Sequence, residues 1–160
     1  MATALAYAPH VAPYVAPLTS EVSTTLPISA SGAYEVFADA TEIPRWLPIV
    51  QNARILARGG DGRPERVAFT RTLERGSLGY TLEYHYDPAT LTVVWATTPS
   101  SNVVLTGEAR FVPLSHRACM MLYRLMIDLP VVDDLVTREL DKHPASHVVS
   151  EFREHLRRLC

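Results

Sequence analysis

Apolar and polar residues alternate along the middle of the chain with a period of two, which is typical of β-strands. The alternation is clearest in residues 78–86, where Leu78, Tyr80, Leu82 and Tyr84 share one face and the residues between them share the other. Similar segments predict seven strands, over residues 19–28, 50–57, 65–73, 78–86, 91–98, 103–113 and 117–129. Most are separated by short turns, so we expect an antiparallel sheet.

Two short helices are predicted between the first two strands. Ser29 or Ser31 can cap the first helix, which is expected to run to about residue 40. Residues 41–47 predict a second short helix that carries Trp46.

A longer helical segment is predicted over residues 131–160, with a kink or break after about residue 143 because Pro144 interrupts it. Its apolar residues form one stripe at helical spacing: Ala145, Val148, Val149, Phe152, Leu156 and Leu159. A long amphipathic helix that follows a run of strands must bury this stripe against the sheet. The fold class is therefore predicted to be α+β, with a curved seven-stranded antiparallel sheet around a long C-terminal helix.

The inward faces of the central strands combine polar-tipped aromatic residues with small residues. Tyr80, Tyr84 and Tyr86 share one inward face and bring three hydroxyl groups that need partners or water. Gly107 and Ala109 share a face with Leu105 and are expected to leave space where a packed core would have bulk. This pattern favours a cavity beneath the helix over a dry core.

The last strand leaves two alternatives open because both of its faces are apolar. Met120, Leu122, Arg124 and Met126 form one face, whereas Cys119, Met121, Tyr123, Leu125 and Ile127 form the other. If the first set points inward, Arg124 is a buried cation that must be paired or must hold an acidic group of a ligand. If the second set points inward, Arg124 is an ordinary surface residue.

Composition limits the classes of protein that the chain can represent. The 160 residues suffice for one domain, predicted over residues 18–160, and 48% of the chain is apolar. The net charge of −2 and scattered basic residues argue against nucleic-acid binding. No apolar run approaches the ~20 residues of a membrane span, and Arg45 is the first basic residue, so neither a span nor a secretory signal is expected. With two cysteines and no disulfide framework, we expect a cytoplasmic protein.

Residues 1–17 differ from the rest of the chain. They carry no Asp, Glu, Lys or Arg, and proline recurs every four residues at Pro9, Pro13 and Pro17, which excludes a regular helix. We expect a loose N-terminal arm, or alternatively one that lies on its own domain or on a partner.

One group of potential metal ligands follows the C-terminal helical pattern. His143, His147, Glu151 and His155 recur every four residues, but Pro144 disturbs the first turn and no HExxH motif is present. We interpret them as the polar border of the apolar stripe. No metal or cofactor is predicted.

Several stretches resemble the helix-grip fold of the START and polyketide-cyclase superfamily, which includes birch-pollen-allergen-like proteins. They are residues 42–48 after the first helix, residues 86–88 at a hairpin and residues 107–114 in the sixth strand, and the resemblance spans about residues 19–159. It implies an elongated apolar pocket for lipids, quinones or polyketides. Aromatase/cyclase members carry a tryptophan at the position of Ala109, and an arginine and a histidine at those of Tyr84 and Arg124. The resemblance therefore favours an inward Arg124 but does not support the usual cyclase residues.

Three functions are consistent with these patterns. The first is binding of a small hydrophobic molecule, with Trp46 at the mouth of the cavity and Arg124 holding a polar group. The predicted ligand-binding residues are Trp46, Tyr80, Leu82, Tyr84, Trp95, Leu105, Ala109, Leu122 and Arg124. The second is a polyketide cyclase, aromatase or dehydratase that uses the same cavity. The third is an interaction module that forms a homodimer through the apolar strand face and the arm.

Overall fold

A computed structural model describes residues 18–101, 103–128 and 145–160. The predicted arm of residues 1–17 and the predicted kink at Pro144 lie outside the described residues. Within the described part of the chain, no helix is both long and apolar enough to cross a membrane.

Seven strands form one curved antiparallel sheet, as predicted. They are β1 (Leu18–Leu26), β2 (Val50–Arg58), β3 (Pro64–Thr72), β4 (Ser77–Asp87), β5 (Thr92–Thr97), β6 (Val104–Ser115) and β7 (Ala118–Asp128). Their order in the sheet is β1-β7-β6-β5-β4-β3-β2. The first strand thus pairs with the last, while hairpins connect the other neighbours.

The helices lie in the hollow of this sheet. They are α1 (Ala30–Ala38), a single 3₁₀ turn (Ala40–Glu42), α2 (Ile43–Trp46) and the C-terminal α3 (Ala145–Leu159). The Oγ atom of Ser29 accepts a hydrogen bond from the backbone N–H of Gly32 at 3.2 Å, which confirms this serine as the cap of α1. Helix α1 packs on β5, β6 and β7, whereas α3 packs on β1, β7 and α2.

Aromatic rings from all three helices meet in the core. Phe152 of α3 contacts Phe37 of α1 with ring centroids 5.3 Å apart and Trp46 of α2 with centroids 5.1 Å apart. The buried stripe of α3 is Ala145, Val148, Val149, Phe152 and Leu156. Leu159 was predicted to belong to it but is 61% exposed, because the helix ends at this residue.

The orientation of β7 decides between the two alternatives left open by the sequence. Cys119, Met121 and Tyr123 are buried on the inner face, together with Leu125 and Ile127. The opposite face, with Leu122 and Arg124, points away from the helices. The inward orientation of Arg124 that the family resemblance favoured is therefore wrong.

Candidate ligand cavity

A cavity of about 80 Å³ lies between the inner face of the sheet and the helices α2 and α3. Six of the nine predicted ligand-binding residues line it: Trp46, Tyr80, Leu82, Tyr84, Trp95 and Leu105. Five of them lie on β4, β5 and β6, where inward and outward side chains alternate as the sequence pattern indicated. Helix α2 brings the sixth, Trp46.

The other three predicted residues lie elsewhere. Ala109 is fully buried on the inner face of β6 but does not line the cavity. Leu122 is 40% exposed on the outer face of β7. Arg124 also lies on that face, where its guanidinium Nε donates a hydrogen bond to Oε1 of Glu21 on the neighbouring strand. A position in water, beside a carboxylate, avoids the desolvation that an inward guanidinium would suffer.

Eight further residues line the cavity and were missed by sequence reasoning. They are Ile43, Leu47, Val50, Phe69, Arg71, Tyr123, Leu125 and Val148. Most are apolar residues that could not be told from ordinary core positions. Arg71 is the exception, and a signal for it exists in the sequence: Val67, Phe69 and Arg71 alternate along β3 and so share its inner face.

Arg71 is 9% exposed and is the only buried charged residue in the described ranges. Its charge is close enough to Tyr80 and Tyr123 to affect both: burial raises the pKa of each hydroxyl, and the guanidinium partly opposes that rise. A guanidinium stays protonated at any working pH, so Arg71 brings a permanent positive charge to a mostly apolar cavity.

Three tyrosines place their hydroxyl groups in this region. Burial raises the pKa of Tyr84 well above its usual value, and the neighbouring hydroxyls of Tyr80 and Tyr123 raise it further. The hydroxyls therefore stay protonated at neutral pH and can donate or accept hydrogen bonds. For the same reason they are poor bases.

Trp46 supplies one more donor. The indole is 4% exposed, and its Nε1 finds no hydrogen-bond partner among the residues that the structure describes. An indole N–H can only donate, and Trp46 is one of the residues that line the cavity.

The space expected above Gly107 is occupied. A Cβ atom built on Gly107 would lie 2.1 Å from Cε2 of Trp95, because the indole of Trp95 covers this glycine from the adjacent strand. The expectation that Gly107 leaves an open volume was therefore wrong. The glycine instead makes room for a tryptophan.

No group of three or more His, Cys, Asp or Glu side chains in the described ranges could hold a metal ion. His143 lies outside these ranges, so the full helical row of His143, His147, Glu151 and His155 is not covered by this observation.

The sequence model of the family described as "Polyketide cyclase / dehydrase and lipid transport" matches residues 17–159. The chain belongs to this family. The family description covers both catalysis and transport, so membership alone does not select one of them. A search of curated proteins found no significant match.

Solved structures of this family's fold are similar over most of the chain. A START superfamily protein from Mycobacterium smegmatis has 19% identity and a TM-score of 0.75, over 89% of this chain and 99% of that one. The Zhui aromatase/cyclase from a Streptomyces species has 14% identity and a TM-score of 0.76, over 89% of this chain and 95% of that one. Norcoclaurine synthase from Thalictrum flavum has 14% identity and a TM-score of 0.65, over 91% of this chain and 99% of that one. At these identities the likeness establishes the helix-grip fold alone.

Proposed function

We propose that the protein binds a small hydrophobic molecule that carries an anionic or carbonyl oxygen, and that Arg71 holds this oxygen. The observation that supports it is a buried arginine in a cavity lined mainly by aromatic and aliphatic side chains. A guanidinium has five N–H donors and forms charge-assisted hydrogen bonds, so Arg71 can hold an anionic or carbonyl oxygen in addition to the interactions that it makes within the protein.

The surroundings of Arg71 fit the same kind of ligand. Protonated hydroxyls of Tyr80 and Tyr123 lie near the guanidinium and can donate to the same oxygen. The rings of Trp95 and Phe69 provide apolar surface for the rest of the molecule, whose burial contributes roughly 25 cal/mol per Å² before entropic costs.

Binding is favoured over catalysis by the titratable groups of the cavity. Among the described lining residues these groups are Arg71 and three tyrosines, all in their protonated forms at neutral pH. Such a set can orient and hold an acceptor. Proton abstraction requires a base whose pKa lies near the working pH, which neither residue type supplies here.

Native mass spectrometry of the purified protein, with extraction of any bound molecule, is the first test. The second measures binding of benzoate, and of benzyl alcohol as an uncharged analogue, by calorimetry. Arg71→Leu should weaken benzoate binding by about 10- to 100-fold, because hydrogen bonds to charged groups contribute about 1.5–3 kcal/mol. Arg124→Leu is the matched control and should leave it unchanged. Equal effects of the two substitutions, or equal losses for both probes in Arg71→Leu, would contradict the anchor role.

A second candidate is cyclase-type chemistry, which the family description and the aromatase/cyclase among the similar structures support at the level of the fold. One observation favours it: tyrosine hydroxyls and a guanidinium meet in one cavity, where they could stabilise an enolate oxygen. Turnover of a poly-β-keto thioester analogue, with a lower kcat and an unchanged KM in Tyr80→Phe or Tyr123→Phe, would support this activity. Binding of the analogue without turnover would exclude it for that substrate.

A further inference from the structure

Trp95 is held in a fixed position in the lining of the cavity. It pairs with Gly107 across β5 and β6, and a Cβ atom on that glycine would come within 2.4 Å of three indole atoms. The indole also contacts the rings of Phe37 and Tyr123, each with centroids 5.6 Å apart, and that of Tyr84 at 6.3 Å. Packed on several sides and 4% exposed, it has little freedom to move aside.

The volume left beside this indole is small. The cavity of about 80 Å³ is smaller than the apolar cavity of ~150 Å³ that takes up benzene, and far below the ~300–1,000 Å³ of sites for drug-sized ligands. A single ring requires modest adjustment of the surrounding side chains. Two or three fused rings require displacement of a large side chain from the cavity lining.

We propose that Trp95, seated on Gly107, sets the size of the ligand and restricts the cavity to compact molecules of about one aromatic ring with an acidic oxygen. This inference rests on the proposed function, since the acidic oxygen is the group that Arg71 would hold. The indole acts as a stop: it fills the space in which a longer ligand would continue along the inner face of β6.

The test uses aromatic carboxylates that carry the carboxylate on a terminal ring and differ in the number of fused rings: benzoate, 2-naphthoate and 2-anthracenecarboxylate. Their binding to the full chain is measured by calorimetry. The natural protein should bind benzoate more tightly than either larger acid. Trp95→Ala should reverse this preference and tighten binding of 2-naphthoate by about tenfold or more, because the second ring gains buried apolar surface.

Phe111→Ala is the matched control. Phe111 is a buried aromatic residue that does not line the cavity, so its truncation removes core packing without extending the ligand space. It should leave the order of the three acids unchanged. Trp95→Leu is a second, milder variant that keeps more of the core filled if Trp95→Ala fails to fold, and it should shift the preference in the same direction.

The outcomes separate this inference from the proposed function. If the natural protein binds all three acids equally, or if the Trp95 variants keep its order of preference, the size restriction is wrong while the Arg71 site stands. If no folded variant binds any of the acids, the proposed function fails and the size restriction fails with it. If Phe111→Ala also reversed the order in which the three acids bind, the role of Trp95 would be overturned. The change in preference would then be a general effect of loosening the core.

Discussion

Arg124 forms its ion pair with Glu21 on the outer face of the sheet, where β7 and β1 lie side by side in register. Both side chains are well exposed, at 61% and 59%. Exposed pairs of this kind contribute about 0–1 kcal/mol because solvent and salt screen them. The pair therefore neutralises a basic residue on a sheet surface and has no contact with the cavity.

Arg124→Leu should consequently change the free energy of unfolding by less than about 1 kcal/mol and should leave ligand binding intact. Urea unfolding with and without added salt measures the first effect. A loss of several kcal/mol, or weaker binding of benzoate, would show that this residue does more than pair with Glu21.

Gly107→Ala should destabilise the protein much more than an ordinary glycine substitution in a strand. The new Cβ atom would lie 2.1 Å from the indole of Trp95, and relieving that overlap must shift the ring or the strand. Overpacking of this kind costs about 1–3 kcal/mol and occasionally more. Urea unfolding monitored by tryptophan fluorescence measures this loss in the free energy of unfolding.

Gly79→Ala in β4 is the control for that measurement. The nearest atom to its new Cβ would be the carbonyl oxygen of Phe69 at 3.9 Å, so the methyl group has room. We expect a change within about 0.5 kcal/mol, or slight stabilisation from reduced chain entropy. Similar losses for the two alanine variants would mean that the indole does not hold its place over Gly107.

Stability should fall as the pH rises above about 10. Burial raises the pKa of Tyr80, Tyr84 and Tyr123 in the folded protein above the ordinary value of 10.0. The folded state thus favours the protonated hydroxyls, and their contribution to the free energy of unfolding is fully present below pH 10.0. Above that pH the unfolded chain ionises first, and each such tyrosine lowers the free energy of unfolding by about 1.4 kcal/mol per pH unit until its folded pKa is reached.

Urea unfolding between neutral pH and about pH 11 checks this dependence. Tyr84→Phe removes one of the titrating groups, so its stability should decline less steeply above pH 10.0 than that of the natural protein. An identical slope in both proteins would show that Tyr84 ionises as freely in the folded state as in the unfolded chain.

The alternation of apolar and polar residues along single strands was enough to predict the sheet and the inner faces of β4 and β6. It could not orient β7, because both of its faces are apolar and the choice depends on neighbours far away in sequence. Glu21 on β1 offers Arg124 a partner only on the outer side. The resemblance to aromatase/cyclases gave the wrong orientation because it was applied at a position where this chain differs from them.

The sequence predicted a cavity and part of its lining, but neither its buried arginine nor its volume. The inward tyrosines followed from the period of β4, but Arg71 required reading β3 in the same way, with an arginine accepted on an apolar face. The volume depended on where a large side chain lies across a neighbouring strand. Sequence spacing showed a small residue at Gly107 and could not show that the indole of Trp95 covers it.

Arg63 holds the turn between β2 and β3 against α1. Its guanidinium lies 5.1 Å from the ring centroid of Tyr34 and 5.6 Å from that of Tyr86. It also pairs with Glu35 at 2.8 Å and Asp61 at 3.5 Å, and the arginine side chain is only 23% exposed. Arg63→Leu should therefore lower the free energy of unfolding by about 1–3 kcal/mol, since two cation–π contacts and two ion pairs are lost together.

Arg66→Leu is the matched control, because Arg66 lies three residues further along the chain, on β3, and makes one ion pair, with Glu83 at 3.0 Å, while 51% exposed. Its loss should cost less than about 1 kcal/mol. Arg63→Lys should recover only part of the difference, because an ammonium group cannot stack on rings or form a planar fork. If Arg63→Leu and Arg66→Leu unfold at the same urea concentration, the aromatic contacts contribute nothing measurable, and the β2–β3 turn must be held against α1 by other interactions.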